Sequence, residues 1–88
     1  MQLARVTGTV TATAKNERLV GATLLIADIM DGRGKVVTPA QVAVDTCGAG
    51  VGDDVILASG SAARMPAGLA TSPIDLAVIA IVERISLG

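Results

Sequence analysis

Between Val44 and Leu57 the chain sets glycine at positions 48, 50 and 52, with apolar, β-branched runs on either side. Glycine costs conformational entropy unless the backbone needs positive φ or very close approach. Three of them at alternate positions therefore predict a tight loop joining two strands and packed against another backbone. A chain with such a loop at its centre is constrained to short, extended elements.

The rest of the chain reads the same way. Across residues 3–14, Val6, Gly8, Val10, Ala12 and Ala14 fall on one face and Arg5, Thr7, Thr9, Thr11 and Thr13 on the other. Period two with this much Thr and Val predicts a half-buried, antiparallel strand. Residues 15–18 are a charged connection, and 19–30 a second strand bent near Gly21. Asp31-Gly32 heads a hairpin signal, and 35–45 is a third strand in which Pro39 limits central pairing. Residues 54–58 form a fourth strand. Residues 59–65 have room for one or two helical turns, with Ser59 or Ser61 as N-cap and Pro66 as the stop.

After a loop at 67–72 and the breaker Pro73, residues 74–85 have a length that also suits a helix. Their Ile and Val content and the all-strand context predict a strand. Both faces of that strand are apolar, with Ile74, Leu76, Val78, Ala80 and Val82 on one and Ala77, Ile79 and Ile81 on the other. Such a strand must be covered on both sides, and a neighbouring subunit is the economical cover. The expectation is one all-β domain over residues 1–88: a small five-stranded, OB-like β-barrel with one short helix before the last strand.

Composition narrows the function. The chain is 51 % apolar yet has no Phe, Tyr or Trp, so the core is aliphatic and surplus apolar surface is buried against further copies. A formal charge of −1, scattered and without aromatics, offers neither a phosphate-binding patch nor a stacking platform, which argues against nucleic acid. The longest apolar run, at 76–82, is too short to span a bilayer as a helix, and the opening residues do not read as a signal peptide. One cysteine excludes an internal disulfide.

Catalytic equipment is missing. Without histidine, Cys47 has no imidazole partner; it reads as a small, semi-buried hydrophobe beside the loop, or as a thiol that symmetry gathers around an axis. Gly48-Ala49-Gly50-Val51-Gly52 fails as a dinucleotide loop, because its third glycine falls early and a strand follows it. Asp45 and Asp53 face each other across the loop, where bonding to loop amides is a commoner use than binding a cation. No catalytic, cofactor or metal site is expected.

Several segments follow a known order. Met1-Gln2-Leu3 precedes Val6, Gly8 and Val10; Leu19, Gly21 and Leu24-Leu25-Ile26 come next. Val42-Ala43-Val44-Asp45, Gly48-Ala49-Gly50-Val51-Gly52-Asp53 and Gly60-Ser61-Ala62-Ala63-Arg64 are the most specific pieces, and Pro73-Ile74-Asp75 with Ile79-Ala80-Ile81-Val82-Glu83 closes the series. In these pieces the chain resembles the EutN/CcmL family of bacterial microcompartment vertex proteins over nearly its whole length. The resemblance implies a non-enzymatic shell protein of the bacterial cytoplasm. It implies a cyclic homopentamer without cofactor, capping the five-fold corners of a shell whose facets are hexameric proteins.

In such a ring, Gly48, Ala49, Gly50, Val51 and Gly52 are expected near the axis, beside a narrow pore. Ile74, Leu76, Val78, Ile79, Ile81 and Val82 are expected at a subunit interface. Two alternatives carry different consequences. One is a stand-alone OB-type module for an oligonucleotide or oligosaccharide, disfavoured by the missing aromatics. The other is an oligomeric enzyme holding a metal through Asp45, Asp53 or Asp75 at a subunit boundary.

Overall fold

The computed structural model describes residues 1–12, 17–19, 21–65 and 74–87. Alternation in the first segment acts as period two requires: β1 (Gln2–Val10) buries Ala4 and Val6 and leaves Arg5, Thr7 and Thr9 in solvent. It is followed by β2 (Thr23–Met30), β3 (Val36–Asp45), β4 (Asp54–Ser59) and β5 (Leu76–Ile81). The five strands close into a barrel in the order β1-β2-β3-β5-β4.

Four of the five ladders are antiparallel; β3 and β5 run parallel and meet only at Val44↔Ala77 and Asp45↔Val78. The sheet closes with a stagger. One way round, Ala77 leads through Val44 and Leu24 to Val10, beyond the end of the β1–β4 ladder; the other way it leads directly to Ala58. A closed barrel of few strands needs such an offset between its ends.

Several boundaries differ from the sequence expectations for identifiable reasons. The second strand begins at Thr23 because Glu17–Leu19 is a 3₁₀ turn. The Leu19 carbonyl accepts from Ala22 N at 2.9 Å, and Gly21 at φ 84° redirects the chain. In the β2–β3 connection the left-handed residue is Gly34 (φ 85°), not Gly32. Gly34 N donates to Asp31 O at 3.0 Å, and Asp31 Oδ1 accepts from the amides of Arg33 and Lys35. This is a longer loop with a glycine bulge, one of the standard alternatives to a two-residue hairpin.

The short helix before the last strand is present as a five-residue 3₁₀ helix, Gly60–Arg64. Ser59 takes the extended N-cap conformation, but its hydroxyl makes no capping bond. Pro66, the loop at 67–72, Pro73 and residues 15 and 16 of the charged connection lie outside the described residues.

The last strand is shorter than the predicted 74–85. It ends because its partner runs out: β4 starts at Asp54, whose carbonyl accepts a final bond from Val82 N at 2.7 Å. At the other end Ile74 is buried but precedes the strand.

Pro39 sits, as expected, where β3 lacks a second ladder. Beside it Ala40 adopts φ 54° at a register shift, its amide held by Asp28 Oδ1 at 2.8 Å. Left-handed backbone is disfavoured for an L-residue with a Cβ, so the Asp28 bond opposes a local strain.

Packing divides into two clusters. Inside the barrel, Ala4, Val6, Leu25, Ala27, Ala43, Val55, Leu57 and Val78 are buried against one another. On the outside of β3 and β5, Val44, Ala63, Ile74 and Ala77 form a second cluster, with Leu19, Ala22, Leu24 and Ile79 packed on it. The second face of β5 is thus covered in part by the chain's own 3₁₀ helix, and not by a neighbour alone. Arg64 fastens that helix by donating from Nη1 to the Ile74 carbonyl at 2.9 Å.

Candidate functional site

The glycine loop spans the interval between β3 and β4, and backbone conformation accounts for its outer glycines. Gly48 and Gly52 have φ of 78° and 95°, values at which a Cβ is costly. Crowding does not explain them: a Cβ on either would meet nothing within 4 Å. Gly50 has neither reason inside the chain, since its φ is not positive and a Cβ would sit 3.9 Å from Asp53 Oδ2, an ordinary contact. Gly50 is therefore not fixed by a close approach within one chain. Between the glycines, Ala49 packs against the barrel interior, while Val51 at the tip is 65 % exposed.

The two carboxylates that the sequence set across the loop are engaged by different amides. Asp45 Oδ1 accepts from Cys47 N at 3.0 Å at one end, and Asp53 Oδ2 accepts from Gly50 N at 2.8 Å at the other. Each is used on a loop amide, the turn-fixing role of Asp. Among the described residues no three His, Cys, Asp or Glu side chains gather as a metal site would require.

The loop is stitched to β1, with Gly52 N donating to Val6 O at 2.8 Å and Val6 N to Asp53 O at 2.9 Å. Cys47 is exposed, not semi-buried: with Sγ 3.7 Å from the Val78 carbonyl oxygen, its side chain stays at the barrel surface beside β5.

Three polar side chains whose partners the sequence did not indicate hold the site. Thr46 donates through both its amide and its hydroxyl to the Val78 carbonyl, strengthening the two-pair junction of β3 with β5. Asp54, with its partner Arg5 directly across the ladder, forms an ion pair of 2.8 Å. The hydrogen bond to Asp54, then its charge, holds the Arg5 guanidinium above its ordinary pKa. Arg64 is the third, through Ile74 O. Nothing in residue spacing reveals these partners, because each is brought close only by the fold.

The predicted interface residues fall into two groups. Val78 is fully buried in its own barrel and offers a neighbour no side-chain surface, while Ile74, 5 % exposed, shows only an edge. Leu76, Ile79 and Val82 are half-buried and Ile81 is 45 % exposed. Beside them lies an open apolar groove of about 200 Å³, lined by Leu24, Val42, Val44, Ile74 and Leu76, with exposed Asp75 on its wall.

Residues 1–83 match the family described as ethanolamine utilisation protein EutN/carboxysome. The chain belongs to the EutN/CcmL family. Within that family, the carboxysome shell vertex protein CcmL of Synechocystis sp. is 39 % identical over 87 residues, which are 99 % of this chain and 87 % of that protein. The bacterial microcompartment shell vertex protein EutN of Escherichia coli is 41 % identical over 88 residues, 100 % of this chain and 93 % of its own length. The solved structure of GrpN, a pentameric microcompartment shell protein from Rhodospirillum rubrum, matches with a TM-score of 0.88 and 41 % identity, covering 100 % of this chain and 99 % of that one. The EutN/CcmL barrel thus extends through the glycine loop and β5 alike.

Proposed function

We propose that this chain is a structural shell protein that forms a cyclic pentamer and caps the five-fold vertices of a bacterial microcompartment in the bacterial cytoplasm. The observation that carries the reading is the full-length match to GrpN, a pentameric shell protein, together with relatives named as shell vertex proteins. The surface agrees with it: Val36, Val37, Val42, Ile81 and Leu87 are between 45 and 63 % exposed in a chain of 88 residues, more aliphatic surface than a monomer of this size needs to show.

A ring is a heterologous interface closed by rotation, and Leu76, Ile79, Ile81 and Val82 supply part of it. Gly48 to Gly52 lie towards the axis, which gives Gly50 the reason that the single chain does not. The protein works by shape: flat facets of hexameric shell proteins cannot close, and five-fold units supply the curvature.

Native mass spectrometry of the purified chain, with light scattering over a dilution series, tests the reading. A discrete pentamer persisting on dilution is expected. A stable monomer or dimer would remove the vertex role and leave only a shared barrel.

A further inference from the structure

The apolar groove and one of the exposed ridges have matching features that their own chain keeps apart. The groove, about 200 Å³, is smaller than the roughly 300–1,000 Å³ of small-molecule sites, and suits one or two aliphatic side chains. Asp75 lies exposed on its wall. At the end of β5 and beyond it, Ile81, Ile85 and Leu87 are 45, 36 and 59 % exposed, with Arg84 among them. This ridge has a backing, because Leu87 Cδ2 lies 3.5 Å from where a Gly32 Cβ would be, against the β2–β3 hairpin.

Neither Asp75 nor Arg84 makes a side-chain ion pair among the described residues. They cannot pair with each other within one chain. The six residues of β5 stand between them, an extended length of about 20 Å at ~3.3 Å per residue.

We propose that the groove of one copy receives the Ile85–Leu87 ridge of a second copy, with Asp75 of the groove paired to Arg84 of the ridge. The inference rests on the ring reading above and names the two surfaces that make it. Groove and ridge are different patches of one chain, so each copy uses its groove on one side and its ridge on the other. That is the head-to-tail contact that a closed ring requires. The aliphatic side chains supply the buried anchor, and the charge pair fixes register and partner choice.

The test is a charge swap read by native mass spectrometry and light scattering on dilution, with far-UV circular dichroism confirming the barrel. Asp75→Arg and Arg84→Glu are each expected to weaken association on the order of tenfold or more, and the double variant to recover it. Leu87→Asp, at an exposed position that leaves the barrel intact, is expected to weaken it likewise. A wild-type pentamer whose single variants dissociate no more readily would overturn the proposal, as would a double variant that fails to recover. Single variants that stay pentameric but no longer co-assemble with a facet protein would overturn it too, and assign the groove to that partner. A wild-type chain that is not a pentamer would overturn the ring reading itself, and this contact with it.

Discussion

At the scale of single residues, the glycine loop separates two demands that the sequence merges. Gly48 and Gly52 answer to backbone conformation, and alanine at either is expected to destabilise the barrel by about 1–2 kcal/mol. Gly50 carries no such demand, so Gly50→Ala should change barrel stability by no more than about 0.5 kcal/mol. Chemical denaturation followed by circular dichroism compares the three, since the chain has no aromatic fluorophore. If Gly50→Ala costs as much as the other two, the loop is more constrained than its contacts show. If it leaves the barrel stable but the ring weakened, the constraint on Gly50 comes from neighbours. The placement of this loop was legible because glycine spacing is a backbone signal. Thr46, Asp54 and Arg64 were not, because their partners are set by registers and turns that exist only once the strands pair.

Among the elements, the strands were readable wherever alternation met a clear turn. β1 follows its period-two pattern, and β4 lies within a residue of expectation. The misjudged edges, at Val10 (expected at 14), Thr23 and Ile81, share a cause: the pattern, as at Ala12, Leu19 and Ile85, continues past the point where a ladder partner exists. Hydropathy records what a side chain prefers, whereas a strand ends where backbone partners end. The least secured junction is β3 with β5, where two register pairs are reinforced by Thr46. Thr46→Val keeps shape and removes the hydroxyl donor, and is expected to cost about 1 kcal/mol. An unchanged thermal midpoint would mean that the junction does not depend on that bond. Leu57, in contrast, is fully buried in the interior cluster, where truncation of a leucine typically costs about 2–5 kcal/mol.

For the molecule as a whole, the decisive features are what its surface leaves uncovered and what its composition omits. The chain has no histidine, the one side chain whose unperturbed titration falls at about pH 5–8. Its assembly state is therefore expected to stay constant between about pH 5.5 and 7.5, which sedimentation or native mass spectrometry at a series of pH values would check. A loss of the assembled form inside that window would point to a carboxylate displaced far from its ordinary range by a neighbouring copy. The closed barrel has a further consequence, set by the order in which a ribosome delivers it. β1 to β4 are complete by Ser59, but the strand that closes the sheet does not begin until Leu76. Throughout that interval of synthesis the nascent chain holds an open sheet whose β3 and β4 edges await β5. The chain is thus most exposed to pairing with the wrong molecule just before its last strand emerges.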